Sequence, residues 1–353
     1  MANYPSKSIH QCLNHQGELI TPSSDNTHKK HSLLVDFYEQ MLKIRYLDSL
    51  AVFLHRTGQL GTYPSCLGQE AIGTALAYCM KKKDVFLPYY RDQATLIPRG
   101  TSGVQWLNYW KGRSHHIPIQ DDFPICIPIG TQCPHAVGAA LALKYLNQED
   151  RCVFVSIGDG GTSRGDFAES LNFAKLFKLP IVFVVNNNQW AISTNISQQT
   201  SAPIIQKAAF ASMDSLCVDG NDIIALVDQL TKARNQAVKN QSPTLIEAKT
   251  YRLHDHTTID DSTKYRQSHE LIEAWKHEPL IRLKSYLVSE KQMDETHDRQ
   301  IHDKHKRWQT QTVDAFKNPT SYSADKMLFD HNLSTSCTLD IRETQNENEF
   351  ESY

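Results

Sequence analysis

The sequence has no strong excess of charge of either sign. Its 353 residues contain 37 Lys and Arg against 39 Asp and Glu, which gives a formal net charge of −2. Charge-driven capture of a nucleic-acid backbone or an anionic membrane needs a concentrated cationic surface, and here both signs are mixed along most of the chain. The composition therefore argues against nucleic acid and membrane as partners, and any bound anion is expected to be small.

The eight cysteines include no CxxC pair and no metal-ligand spacing. Cys152 and Cys217 lie in or beside apolar runs, where a reduced thiol behaves as a small hydrophobic side chain. A disulfide framework is not expected. This pattern is typical of a reducing cytosol.

Long apolar runs are missing as well. The longest uninterrupted ones, such as 181–185, fall far below the roughly 18 residues that a membrane helix needs. The first residues, MANYPSKSIHQC, contain no apolar signal core. We therefore expect a soluble, cytoplasmic protein.

Helical and strand-like patterns alternate along the chain. Helices are predicted from apolar spacing at 37–54, 68–80, 134–146, 166–178 and 222–238, and strands at 151–157, 181–185 and 244–248. A strand, a helix and a second strand in succession form a βαβ unit. The predicted fold class is α/β, with a mostly parallel sheet flanked by helices.

Three regions are predicted along the chain. Residues 1–30 are polar and are expected to form an arm rather than a core element. Residues 31–332 are expected to form the α/β domain. Residues 333–353 end in IRETQNENEFESY and are expected to be a flexible tail.

Two polar clusters follow neighbouring predicted strands, GDGG at 158–161 and NNN at 186–188. Ligands of doubly wound sheets bind beyond the carboxyl ends of the strands, so both clusters are expected to face one crevice. The carboxylate of Asp159, the amide oxygen of Asn188 and nearby carbonyls are ligands that suit Mg²⁺. Glycines permit close approach of a diphosphate, and the following helix offers its positive end. GDGG alone is an ordinary glycine-rich turn, but the two clusters together predict a magnesium–diphosphate site.

The run GDGGTSRGDFAESLNFAKLFKLPIVFVVNNN resembles the thiamine diphosphate motif of the alpha subunits of 2-oxo acid dehydrogenases. Further blocks similar to this family are GTYPSCLGQEA at 61–71, PYYRDQA at 88–94, PIGTQCPHAVGAALALK at 128–144, VDGND at 218–222 and YRLHDHTTIDDSTKYR at 251–266. The resemblance covers about residues 35 to 300. It implies the diphosphate-binding half of a thiamine diphosphate-binding fold, and it is greatest with bacterial pyruvate dehydrogenases, followed by the branched-chain enzymes.

The resemblance assigns roles to individual residues. The implied magnesium ligands are Asp159, the side-chain oxygen of Asn188 and the main-chain carbonyl of Trp190. The implied cofactor-binding residues are Tyr90, Arg91, Ile127, Ile129, Gly158, Asp159, Gly160, Gly161, Asn188, Arg252 and His256. Thr131 and Gln132 resemble residues that hold potassium in the branched-chain enzyme, so a potassium ion is allowed here as well.

His256 matches the family's catalytic histidine. Imidazole is the side chain with an unperturbed pKa nearest neutrality, which suits proton transfer. The alternative is a solvated loop histidine, since the chain contains 16 of them. His254 and His256 also lack a third ligand for a metal site. Thr257 takes the place of a serine that mammalian relatives phosphorylate.

The resemblance implies decarboxylation of pyruvate on thiamine diphosphate, followed by acetyl transfer to the lipoyl group of a transacetylase. A separate beta subunit is expected to supply the pyrimidine half of the site, in an assembly of two alpha and two beta chains. The alternatives are a branched-chain 2-oxo acid or acetoin dehydrogenase alpha subunit and, more distantly, a non-catalytic scaffold. A dinucleotide-binding enzyme does not fit, because GDGGTSRG is not GxGxxG.

Overall fold

The computed structural model describes residues 9–113 and 121–318. The predicted tail and the first eight residues of the predicted arm lie outside these ranges, and the boundaries drawn at 30 and 332 stay predictions. Within the described ranges, no helix combines the length and the apolar character needed to cross a bilayer.

A parallel five-stranded sheet lies at the centre, in the order β1-β2-β3-β7-β6. Its strands are β1 (Val85–Leu87), β2 (Val153–Gly158), β3 (Ile181–Asn187), β6 (Asp214–Asp219) and β7 (Thr244–Lys249), while β4 (Trp190–Ala191) and β5 (Thr194–Asn195) form a separate antiparallel pair. The central strands β2 and β3 are almost continuously apolar and buried, as expected for a parallel sheet covered on both faces.

Helices cover both faces of the sheet. Those of the described residues are α1 (His31–Arg56), α2 (Glu70–Cys79), α3 (Gln93–Arg99), α4 (Gly103–Trp110), α5 (Gln132–Tyr145), α6 (Gly165–Leu176), α7 (Ile196–Gln199), α8 (Lys207–Phe210), α9 (Ile223–Asn240), α10 (Ser268–Trp275), α11 (Pro279–Ser289) and α12 (Glu295–Lys317). The α/β class, the βαβ unit and the long first helix predicted from the sequence are confirmed.

Alternate residues of β3 enter two different cores. Val182 and Val184 pack in the core that contains α1, α2 and α9, whereas Phe183 and Val185 pack in the core formed with α5 and α6. This alternation follows from the two-residue side-chain period of a strand. The sheet is therefore packed between two layers of helices, and the loops that follow its strands are anchored at its carboxyl edge.

The prediction that the N-terminal segment lies outside the core is wrong for Cys12 and Leu13, which are fully buried. Their backbone N–H groups both donate to Oδ2 of Asp222, at 2.6 Å each. The other oxygen of Asp222 accepts the N–H groups of Ile224 and Ala225 and so caps α9. The carboxylate of Asp222 thus joins the N-terminal segment to α9, and no local apolar pattern in the sequence predicts this contact.

Candidate active site

The two polar clusters meet at the carboxyl edge of the sheet. GDGG leaves β2 as a short 3₁₀ turn and NNN ends β3, which is the next strand in the sheet. Both border a cavity of about 500 Å³. Its lining includes the predicted residues Tyr90, Arg91, Ile127, Ile129, Gly158, Asp159, Gly160, Gly161, Asn188, Trp190 and His256.

Asp159 is a buried carboxylate with few partners. It is 2 % exposed, and burial raises its pKa. Its Oδ2 accepts a hydrogen bond of 3.0 Å from Nε2 of Gln199. A buried charge of this kind is costly unless it is paired, so a bound cation would stabilise it.

Asn188 is oriented by a second glutamine. Its Nδ2 donates to Oε1 of Gln69 at 3.1 Å, while its Oδ1 accepts the backbone N–H of Trp190 at 3.3 Å. The carbonyl oxygen of Trp190 accepts from Nη1 of Arg252 at 3.2 Å. Sequence reasoning missed the roles of both glutamines: Gln69 lies within the GTYPSCLGQEA block but was given no role, and Gln199 lies outside every quoted block.

The residues present fit magnesium and a diphosphate. A carboxylate, an amide oxygen and a carbonyl oxygen form a hard donor set that lacks thiolate or imidazole. The described residues contain no cluster of three or more His, Cys, Asp or Glu that could hold a metal, so phosphate and water oxygens would have to complete the coordination. A Cβ on Gly160 would lie 2.6 Å from Cβ of Ala191, which explains why this loop needs glycine to pack closely.

Arg91 brings a buried positive charge to the cavity wall. It is 3 % exposed, and it donates from Nη1 to the carbonyl oxygen of Ser65 and from Nη2 to that of His256, the latter at 2.9 Å. The ring of Tyr90 lies 5.5 Å from the guanidinium carbon. A permanently charged guanidinium in this position suits an anionic ligand.

Arg252, predicted to bind the cofactor, lies behind the cavity wall and not in it. It is fully buried and does not border the cavity; its Nη2 donates to the carbonyl oxygen of Ile192 at 2.9 Å and to the hydroxyl of Tyr265 at 2.7 Å. Burial, followed by the nearby Arg91 cation, lowers its pKa. The arginine therefore supports the loop behind the residues predicted to bind the metal, and it adds positive potential to that side of the cavity.

His256 is held in a braced loop. Burial, with the neighbouring Arg91 and Arg252 cations, lowers its pKa to about 3, so the ring is neutral at physiological pH. Its backbone N–H donates to Oδ2 of Asp260 at 2.9 Å, and that oxygen also accepts the hydroxyl of Tyr265. The reading of His256 as an ordinary solvated histidine is not supported by this environment.

Gln132 and Thr131 stand at the start of α5. Gln132 is 3 % exposed and donates from Nε2 to the carbonyl oxygen of Ser156 at 3.0 Å, while its buried Oε1 has no hydrogen-bond partner in the described part of the chain. Ile127 and Ile129 are 48 % and 44 % exposed at the rim of the same cavity. The rim is thus apolar and open.

Comparison with known proteins identifies the family. Residues 38–326 match the sequence profile described as dehydrogenase E1 component. The 3-methyl-2-oxobutanoate dehydrogenase subunit alpha of Mycobacterium tuberculosis is 40% identical over 297 residues, which cover 82% of this chain and 80% of that protein. The mitochondrial 2-oxoisovalerate dehydrogenase subunit alpha 1 of Arabidopsis thaliana is 39% identical, with 79% of this chain and 61% of that protein covered.

The pyruvate dehydrogenase E1 component subunit alpha of Staphylococcus aureus is 37% identical over 273 residues, with 76% of this chain and 74% of that protein covered. The matched region contains both polar clusters, the Arg91 block and His256. The fold, the cavity and these similarities agree: this chain belongs to the dehydrogenase E1 component family.

Proposed function

We propose that this chain is the alpha subunit of a thiamine diphosphate-dependent 2-oxo acid dehydrogenase. The observation that carries the proposal is the convergence of Asp159, Asn188, Arg91 and His256 on one cavity at the carboxyl edge of β2 and β3. The presence of Asp159 and Asn188, together with a half-buried histidine that stays neutral, also argues against the non-catalytic scaffold.

Each residue of the cavity is suited by its chemistry to a different role. Asp159, Asn188 and the carbonyl of Trp190 would hold Mg²⁺, and Arg91 would face the diphosphate that the metal binds. Thiamine diphosphate, when bound, supplies the carbon nucleophile and the electron sink for loss of carbon dioxide. Because Nδ1 faces the Arg91 guanidinium, the neutral ring of His256 can donate a hydrogen bond from Nε2 near the reacting carbonyl group.

The open rim supports a partner chain. The exposed side chains of Ile127 and Ile129 leave one wall of the cavity apolar and uncovered. A beta subunit covering this wall would exclude water and complete the cofactor site, in an assembly of two alpha and two beta chains. A lipoyl-bearing transacetylase would accept the acyl group.

The unpartnered Oε1 of Gln132 supports a potassium ion beside Thr131. The cytoplasmic location stays a prediction.

Pyruvate is the substrate predicted from the sequence blocks. The branched-chain acid 3-methyl-2-oxobutanoate is the second candidate. It is favoured by the identities, because the mycobacterial relative named for this acid is 40% identical and the pyruvate dehydrogenase relative is 37% identical. The two acids differ at the side chain next to the keto group, so the apolar residues around the reacting carbon from both subunits decide between them.

Coexpression with a beta subunit of the same enzyme family tests the proposal. Decarboxylation of both acids is measured with thiamine diphosphate and Mg²⁺, in wild type, Asp159→Ala and Asp166→Ala. Asp166 is a matched control because it lies on the same loop-to-helix segment and, among the described residues, its carboxylate pairs with the exposed Arg164. We expect turnover that Asp159→Ala abolishes and Asp166→Ala retains. Turnover that survives in Asp159→Ala would refute the site, and a cofactor-loaded complex without turnover would favour the scaffold.

A further inference from the structure

Gln199, the last residue of α7, holds Asp159 from outside the sequence motifs. Its Nε2 donates to Oδ2 of Asp159 at 3.0 Å and to the carbonyl oxygen of Thr194 at 2.9 Å. A carboxamide nitrogen has two hydrogens, and both are used here. Turning the amide by 180° would set Oε1 against two acceptors, so its orientation is determined by chemistry.

The other half of the same carboxamide has no partner among the described residues. Oε1 of Gln199 is buried and makes no hydrogen bond to any residue of 9–113 or 121–318. Leaving a buried acceptor unsatisfied costs on the order of 1–3 kcal/mol. A Cβ built on Gly160 would lie 3.7 Å from this oxygen, which places the oxygen beside the loop that borders the cavity. An unsatisfied acceptor here indicates a donor that arrives with the ligand.

The chemistry of the expected ligands limits what that donor can be. Phosphate oxygens and the metal-binding oxygens of the chain are acceptors, so none of them can satisfy Oε1. Mg²⁺ dehydrates reluctantly and usually keeps several waters, whose hydrogens are good donors. A water that stays on the magnesium beside Asp159 would supply such a donor.

We propose that Gln199 is a positioning residue of the magnesium site: its amide N–H groups hold Asp159, and its Oε1 accepts a hydrogen from a water that the magnesium retains. This inference rests on the proposed function. Gln199 does not itself touch the metal, so its effect is expected on metal affinity more than on the chemical step. Groups that orient metal ligands in this way typically change affinity by 10–100-fold when removed.

The test compares Gln199→Met with Gln198→Met. Methionine is close to glutamine in length but lacks both polar groups, and Gln198 is an exposed neighbour on the same helix. Magnesium chloride is titrated by calorimetry into the complex of the full-length chain with its beta subunit, saturated with thiamine diphosphate. We expect Gln199→Met to weaken the magnesium affinity by about 10–100-fold. Gln198→Met should stay within about twofold of wild type, as most surface substitutions do.

Kinetics separate positioning from packing. The apparent KM for Mg²⁺ should rise in Gln199→Met by a larger factor than kcat falls, because the lost contacts hold a metal ligand and do not touch the reacting atoms.

Magnesium affinities that agree for wild type, Gln199→Met and Gln198→Met would overturn the inference and leave the proposed function standing. A loss confined to kcat, with no change in the magnesium requirement, would also overturn it. Failure of the wild-type complex to bind magnesium with thiamine diphosphate would overturn both the inference and the proposed function.

Discussion

The Nη2 atom of Arg91 lies 3.3 Å from Nδ1 of His256 and 2.9 Å from the carbonyl oxygen of the same residue. A guanidinium can only donate, so we assign Nδ1 as the acceptor and place the ring proton on Nε2. The pair joins two loops that are far apart in the sequence. It couples the residue proposed to face the diphosphate to the residue proposed to assist the reaction, and it adds to burial, the larger cause, in lowering the pKa of the imidazole.

Removing this cation should change the titration of His256. In Arg91→Met, the pKa of His256 should rise from about 3 towards the ordinary value of 6.5, because a cation disfavours the imidazolium form. It should stay below 6.5, since burial is the larger cause of the shift. NMR of histidine-labelled protein, with His256→Asn to assign the signal, measures it. An exposed control, Arg56→Met, should leave the signal in place. An unchanged pKa in Arg91→Met would contradict the assigned contact.

His305 should make the protein less stable in acid. It is buried between α12 and α1, and neither ring nitrogen makes a hydrogen bond to a described residue. Burial lowers its pKa to about 4 despite the opposing effect of Glu39. Lys43, Lys304 and His302, which also face it, lower the pKa further. The unfolded chain therefore binds a proton between about pH 6.5 and 4 that the folded chain does not.

Stability should fall with decreasing pH across this window, by at most about 1.4 kcal/mol per pH unit from this residue. Denaturant unfolding from pH 7 to pH 4 measures the slope, which should be smaller in His305→Leu. Gln300→Leu, an exposed substitution on the same helix that removes no titrating group, should keep the wild-type slope. Equal slopes in all three proteins would refute the prediction.

Gly160 should not tolerate a methyl group. Its Cβ would approach Cβ of Ala191 to 2.6 Å, so Gly160→Ala must displace β4 or the loop that borders the cavity. Overpacking of this kind typically costs about 1–3 kcal/mol, and we expect cofactor affinity to fall with it. Thermal unfolding and a thiamine diphosphate titration measure the two effects. Gly165→Ala is the matched control, because a Cβ there has nothing within 4 Å. A Gly160→Ala protein as stable as this control would count against the close packing.

The buried pair of Asp84 and Arg234 should be essential for stability. Arg234 donates from Nε to Oδ2 at 2.6 Å and from Nη2 to Oδ1 at 2.9 Å, and Asp84 also accepts the backbone N–H of Cys152 at 2.9 Å. Arg234→Met should cost about 3–5 kcal/mol, because it leaves a buried carboxylate without its cation. Denaturant unfolding measures this cost. The double variant Asp84→Asn with Arg234→Met should lose less than the sum of the two single variants, and simple additivity would contradict a direct coupling.

Much of the architecture could be predicted because it depends on patterns among residues that are close in the sequence. The apolar runs of β2 and β3 and the helix between them identify a βαβ unit, and GDGG and NNN at the strand ends predict a shared crevice from the geometry of parallel strands. The strand β6 was missed because its apolar part is short and acidic residues stand at both ends. As an edge strand it needs apolar contact on fewer sides, so its pattern is weak.

The sequence by itself determined the fold class, the family and the positions of the two polar clusters, since each depends on neighbouring residues or on recognisable blocks. Only the tertiary structure decided that Gln199 holds Asp159, that Gln69 orients Asn188, and that Arg252 lies behind the cavity wall. These contacts join side chains from separate elements, and burial then sets their hydrogen bonds and pKa values. Local periodicity does not predict such contacts, because they form only when the sheet brings its loops together at one edge.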